Sequence, residues 1–309
     1  MATLAHLSDV HSTRARIDRP KHLLGNRGLQ LVSWNLRRRR HRGYRNEILE
    51  ALAKDLRAQQ PGQVVVTGDI TNAASDAEYS AVAAWLRRFG DPGWLTAVPG
   101  NHDAFLHDSV ARIWQHWAGY VSSDEAARLA HDAVPDQGFP TLRIRNGMAL
   151  VGVCSARPST LGLARGKVGS EQLLRLEWLL DNLRERDLCR VVLTHYPPFD
   201  DGISWRRRLK DSAQLRKVLE RSGAELVLHG HLHRTSFSTI PGCNGEIPVV
   251  GVPSASGAGG KGHEGSRYHV YRIERTANGG SRSRYAISVL ARSYDPIGQR
   301  FVTALERDL

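Results

Sequence analysis

The sequence predicts an α/β fold built as one domain, and three observations carry that expectation. Short apolar runs, Gln63-Val64-Val65-Val66-Thr67, Arg190-Val191-Val192-Leu193-Thr194 and Glu225-Leu226-Val227-Leu228, read as fully buried strands. Segments with apolar residues at helical spacing alternate with them, as βαβ units require. Each run ends on polar residues able to do chemistry: Gly68-Asp69, His195, and His229-Gly230-His231-Leu232-His233. A chain of 309 residues with 41% hydrophobic content can bury a large core, and no low-complexity linker divides it.

Taken in order, Thr3 to Leu7 reads as a strand emptying into Ser8-Asp9-Val10-His11, where alternation sends Asp9 and His11 the same way. On its own this D-x-H also reads as a capping Asp and a loop His. Residues 14–45 look inserted: Leu23, Leu24, Leu29, Leu31, Trp34 and Leu36 are interleaved with bases, ending in the run Arg37, Arg38, Arg39, Arg40. Ile48, Leu49, Leu52 and Leu56 give a helix over 47–59, stopped by Pro61-Gly62. A second helix, 76–89, presents Tyr79, Val82, Trp85, Leu86 and Phe89 to the core. Leu95 to Pro99 is strand-like and leads into Gly100-Asn101-His102-Asp103.

Trp114, Trp117 and Tyr120 recur within a helix over 110–120, and a polar helix follows around 124–131. This region, about 104–140, is a candidate lid, although the indoles also suit plain packing. Thr141–Arg145 and Ala149–Cys154, joined by Asn146-Gly147, read as a type I′ hairpin, and Ser170 opens a helix to Arg186. Trp205 and Arg206-Arg207-Arg208 form a second basic patch, facing substrate or solvent. Alternating segments at 235–240, 247–252, 268–272 and 285–291 predict a second, largely antiparallel sheet, with a C-terminal extension after about 292.

Alone, Gly100-Asn101-His102-Asp103 could be an ordinary turn in which Asn and Asp bond the backbone and Gly supplies unusual dihedrals. With Asp9, His11, Asp69, His195, His231 and His233 placed after other strands, it becomes one part of a convergent set. Oxygen and imidazole donors without thiolate fit divalent Mn, Fe, Zn or Co, and so many donors over-supply a single ion. Two divalent ions sharing a carboxylate account for the number.

The ordered set Asp9-Val10-His11, Gly68-Asp69, Gly100-Asn101-His102-Asp103, His195 and Gly230-His231-Leu232-His233 resembles the calcineurin-like metallophosphoesterase superfamily. In its GNHD and GHLH forms it is most similar to class III cyclic-nucleotide phosphodiesterases and glycerophosphodiesterases. The resemblance implies a four-layer α/β/β/α sandwich of two mixed sheets with metal at the strand C-terminal ends. It implies one ion on Asp9, His11, Asp69 and His233, and another on Asp69, Asn101, His195 and His231, with Asp69 bridging. His102 is then not a ligand but meets the phosphate and the leaving oxygen. Asn72 departs from relatives that carry a carboxylate three residues after the GD motif, which removes no ligand.

Two ions, Asp9, Asp69 and a bridging hydroxide leave a centre of charge about +1, attractive to phosphate. Direct attack by that hydroxide on a phosphodiester is the expected reaction. His102 would assist the departing oxygen, and Asp103 or a backbone carbonyl would orient its ring. An alternative is a hydrolase of lipid or nucleotide-sugar-lipid phosphoesters, similar to UDP-2,3-diacylglucosamine pyrophosphatases, with Trp34, Arg37, Arg38, Arg39 and Arg40 on an anionic membrane. Further alternatives are a nuclease or nucleic-acid-binding protein and a metal-bearing scaffold without catalysis.

Charge and cysteine content narrow the setting. Of the net +12, residues 14–45 hold eleven Lys or Arg against the single Asp18, so the basic character is local. Three scattered cysteines without CxxC spacing argue against a disulfide framework. Without a signal-like start or a long apolar run, the expectation is a cytoplasmic protein, or one peripheral to the inner face of the membrane.

Overall fold

The computed structural model describes residues 1–13, 46–104, 107–125, 127, 135, 138–158, 163–260, 263–276 and 284–309. Trp34 and Arg37 to Arg40, and most of the polar helix expected around 124–131, lie outside these residues. Fourteen strands are present among the described residues: β1 (Ala2–Leu7), β2 (Gln63–Val66), β3 (Leu95–Ala97), β4 (Thr141–Arg145), β5 (Met148–Gly152), β6 (Cys189–Leu193), β7 (Leu226–His229), β8 (Ser236–Gly242), β9 (Gly245–Gly251), β10 (Ala258–Gly260), β11 (His263–Gly265), β12 (Arg267–Arg275), β13 (Tyr285–Asp295) and β14 (Arg300–Asp308). The helices are α1 (Asn46–Gln59), α2 (Asp76–Phe89), α3 (Ser109–Val121), α4 (Ser170–Arg184) and α5 (Ser212–Ser222).

The strands form two six-stranded mixed sheets, ordered β14-β13-β12-β1-β2-β3 and β4-β5-β6-β7-β9-β8, and a separate β10–β11 ribbon. In the first sheet β1, β2 and β3 run parallel; in the second β5, β6, β7 and β9 do. The period-2 geometry of a strand divides each apolar run between two layers. Leu4, Val65, Val191, Leu193, Leu228 and Tyr271 fill the space between the sheets. Ala5, Leu7, Val64 and Val66 face α1, α2 and α3, and Val192, Val227 and Val249 face α4 and α5. The result is the four-layer α/β/β/α sandwich, and burial on both faces explains why these strands are apolar throughout. Each such Val or Leu contributes about 1.5–3 kcal/mol.

Most local expectations match. Asn146 (φ +49°) and Gly147 (φ +78°) make the tight turn between β4 and β5. Trp117 and Tyr120 are buried in the layer of α2 and α3, with Trp117 5.3 Å from the ring of Tyr79, so these aromatics serve packing. The predicted second antiparallel sheet is corrected. Strands β8 and β9 join the second sheet, where β9 is parallel to β7, whereas β12 and β13 join the first, antiparallel to β1 and to each other. Alternation marks a strand and its faces but not its neighbour. Helix α5 and strand β14 had no predicted element.

Candidate metal centre

The parallel strands of both sheets end at one edge, and their exit loops carry the polar set. After β1, Asp9 N donates to Gly68 O (2.9 Å), His11 N to Asp69 O (3.0 Å) and Ser12 N to Ile70 O (3.1 Å), lacing the first two loops together. Five of the polar residues there adopt the left-handed region: Asp9 (φ +51°), His11 (+44°), Asp69 (+54°), His231 (+67°) and His233 (+53°). A non-glycine residue held so costs about 1–3 kcal/mol, and such strain gathers where function requires it. Asp9 and His11 thus do converge, by left-handed turns rather than by strand alternation.

Gly100 and Gly230 owe their places to close approach. Neither has a positive φ, so the expectation that Gly100 supplies unusual dihedrals is corrected. A Cβ at Gly100 would collide with the amide and carboxylate of Asp69. One at Gly230 would lie 2.6 Å from Asp9 Oδ2 and strike Ser8 Oγ.

The donors meet across the two sheets. His233 Nε2 lies 2.9 Å from Asp9 Oδ1, and His231 N donates to Asp9 Oδ2 at 3.0 Å. His195 Nε2 is 3.4 Å from Asp69 Oδ2 and 3.1 Å from Asn101 Oδ1. His231 Nδ1 lies 3.0 Å from the same Asn101 oxygen. Among the described residues two groups could each hold an ion, Asp9-His11-His233 and Asp9-Asp69-His195, and the residue common to both is Asp9.

Ring orientation tests whether this set fits a metal. His11 Nδ1 donates to Thr71 O (3.1 Å), His195 Nδ1 to Thr67 O (2.7 Å) and His231 Nε2 to Arg207 O (2.7 Å). A carbonyl only accepts, so each contact places a proton on that nitrogen and, in the neutral ring, turns a lone pair of the other one into the cluster. His231 Nδ1 and Asn101 Oδ1 then face one another as acceptors, an arrangement a cation relieves. The residues fit divalent ions.

Electrostatics follow from burial and pairing. Burial opposes ionisation of Asp9 and Asp69, but facing imidazoles, His233 for Asp9 and His195 and His102 for Asp69, hold both carboxyls below the usual range. Burial and the neighbouring His102 push His11 down to about 3. Burial and the charges of His195 and Arg207 likewise keep His231 neutral.

His102 sits beside the cluster with its side chain 26% exposed and Nε2 4.0 Å from Asp69 Oδ2. Its amide donates to Asp69 Oδ1 (2.8 Å), and Nδ1 donates to Asn72 O (2.6 Å). A backbone carbonyl therefore orients this ring. Asp103 is placed elsewhere: its buried carboxylate accepts from Ile70 N (3.0 Å), Thr71 N (2.8 Å), Thr71 Oγ1 (3.0 Å) and Gly100 N (2.9 Å). It clamps two loops and does not reach the reacting edge. The side chain of Asn72 turns away to the carbonyl of Thr13.

Two supports were missed in the sequence. Glu78 accepts from Asn72 N (2.9 Å), Thr13 Oγ1 (2.8 Å), Ala73 N (3.1 Å) and Ser75 N (3.1 Å), fixing the loop whose carbonyl holds His102. The capping-box pattern Ser75-x-x-Glu78 was its visible signal. The second is the main chain of Arg207, which orients His231; the sequence marks this residue only as part of a basic patch, and a carbonyl's role leaves no trace in residue type.

A model of the calcineurin-like phosphoesterase family matches residues 2–235. The chain is 24% identical over 203 residues to a Synechococcus sp. protein named "Probable cyclic nucleotide phosphodiesterase", covering 62% of this chain and 68% of that one. It is 25% identical over 187 residues to an Arcobacter nitrofigilis protein named "Probable glycerophosphodiester phosphodiesterase GpdQ", covering 57% of this chain and 58% of that one. Among solved structures, a dimetal phosphatase from Danio rerio shares the fold, with a TM-score of 0.57, 15% identity and 98% of each chain covered.

Proposed function

Because this chain belongs to the calcineurin-like phosphoesterase family, and so is a metal-dependent phosphoric ester hydrolase, we propose that it hydrolyses phosphodiesters at a pair of divalent ions. The observation that carries the reading is the convergence of donors from both sheets on Asp9 and Asp69, with three imidazoles fixed on backbone carbonyls. Asp9, His11, Asp69 and His233 would hold one ion; Asp69, Asn101, His195 and His231 would hold the other. Asp9 lies close enough to both groups to share in the second. When bound, two such ions supply Lewis acidity toward phosphoryl oxygens and bring the pKa of water to about 7. The names of the two curated relatives favour a diester over a monoester substrate.

The remaining work falls to the chain. His102 stands at the open side, anchored through Nδ1, so Nε2 is the atom that meets substrate. With Nδ1–H committed to Asn72 O, the ring donates from Nε2 only as imidazolium, and that proton goes to the departing alkoxide. Asp103 keeps the Gly100 and Ile70 amides in register and so holds the loop that carries His102.

The test is chelator-stripped protein reloaded with Mn, Fe, Zn or Co and assayed on bis(p-nitrophenyl) phosphate, p-nitrophenyl phosphate, 3′,5′-cyclic AMP and glycerophosphoethanolamine. Metal-dependent turnover of diesters above the monoester is expected. His102→Ala should lower kcat about 10²- to 10⁴-fold on alkyl leaving groups and far less on p-nitrophenolate. Faster monoester hydrolysis with every metal overturns the reading.

A further inference from the structure

The loop between β6 and α5 carries a feature that the hydrolytic centre does not use. Arg207 is joined to the centre in both directions: its carbonyl accepts from His231 Nε2 at 2.7 Å, and its Nη2 donates to His231 O at 3.2 Å. Trp205, two residues earlier, lies within about 7 Å of it along the chain. That indole is 50% exposed. The guanidinium carbon of Arg206 is 5.2 Å from its ring centre and that of Arg165 is 5.6 Å away.

This grouping is built into the backbone. Ala164 N donates to Arg206 O (2.8 Å), Gly166 N to Arg208 O (3.2 Å) and Lys210 N to Gly166 O (3.0 Å), so residues 164–166 run beside the loop and bring Arg165 to the indole. The other large exposed apolar residues among the described ones, such as Leu174, Trp178 and Ile297, belong to other elements, so among the described residues Trp205 stands alone among cations. A solitary indole suits neither a lipid surface nor a protein interface, both of which need a continuous apolar patch. Among the described residues, Arg165, Arg206 and Arg207 form no ion pair with a carboxylate, and Arg165 Nε is buried without a partner. Cations without counter-charge stacked over a half-exposed indole match a ligand that is aromatic and anionic together, since a base packs on a guanidinium plane as well as on a ring.

We propose that Trp205, with Arg206 and Arg165, forms a subsite for the nucleoside part of a nucleotide diester, the base packing on this indole–guanidinium stack and the guanidiniums drawing the anionic diester toward it. This assignment rests on the phosphodiesterase reading above and names the substrate side of that same centre. Because every base offers a π-face, the subsite would favour nucleotides without selecting strongly among bases.

Metal-loaded wild type, Trp205→Ala, Trp205→Phe and Arg206→Ala are compared on 3′,5′-cyclic AMP and glycerophosphoethanolamine, and 5′-AMP binding is measured by calorimetry. For Trp205→Ala the ratio of kcat/KM between the two diesters should fall about 5- to 150-fold, carried by KM for the nucleotide. Trp205→Phe should recover most of it. A ratio unchanged within about twofold, or an equal loss on both diesters, overturns the subsite. If wild type hydrolyses no diester, the phosphodiesterase reading fails, and calorimetry decides the subsite separately. Weaker 5′-AMP binding by Trp205→Ala upholds it; equal binding, or none by wild type, overturns it.

Discussion

His269 illustrates how one buried side chain sets a property of the folded state. It lies between the sheets, its ring stacked on Phe237 at 5.8 Å, with Nδ1 3.3 Å from Tyr271 Oη and Nε2 without a partner. Burial, aided by Arg267, brings its pKa from the ordinary 6.5 to about 3. Between those values the unfolded chain binds the extra proton, so the stabilisation is complete above pH 6.5 and is lost as pH falls toward 3. Unfolding free energy should therefore decline on acidification by up to about 1.4 kcal/mol per pH unit for such an imidazole. Urea titrations from pH 7 to 4 should show a shallower decline for His269→Phe; identical slopes would exclude this role. At this scale the sequence singled out the polar residues that converge and not which way each one points. Asp103 follows His102 directly, yet its carboxylate spans back to the amides of residues 70, 71 and 100, a choice made by loops 30 residues apart.

Among the elements, helices and buried strands were legible because their periodicities are local. Helix α2 was predicted at its observed bounds, and all the parallel strands that deliver Asp9, Asp69, Asn101, His195 and the residues from 229 to 233 were found. Strand β14 was not, since Arg300–Asp308 is an edge strand with one buried residue and little alternation. Helix α5 shows Leu215, Val218 and Leu219 at helical spacing and was missed beside the more conspicuous arginines. The α2 cap links element to site. Ser75→Ala should lower stability by about 0.5–2 kcal/mol with turnover retained. Glu78→Ala should lower kcat as well, because Asn72 and Ala73 lose their anchor and His102 its carbonyl. Urea denaturation and turnover on both variants test this; equal kcat would separate the cap from the site.

The whole molecule is two sheets whose joint edge is closed by polar contacts. Asp9, His11, Asp69 and Asn101 come from the first sheet, and His195, His231 and His233 from the second. Ions bound there would clasp the sheets and stabilise the fold by mass action. At 100 times the dissociation constant the gain is about 2.7 kcal/mol, or about 4 °C in melting temperature for 309 residues. Scanning fluorimetry of chelated and metal-loaded protein measures it, and Asp9→Asn should reduce the shift; no shift with any tested metal would rule the clasp out. No helix among the described residues is long and apolar enough to cross a membrane.

The left-handed residues around the centre also set its mutational reach. Asn tolerates that backbone region about as well as Asp, whereas β-branched and bulky residues do not. At Asp9 and Asp69 a single change to Asn keeps the turn and removes one negative charge. The charge these loops carry can thus be altered in unit steps without rebuilding their backbone turns.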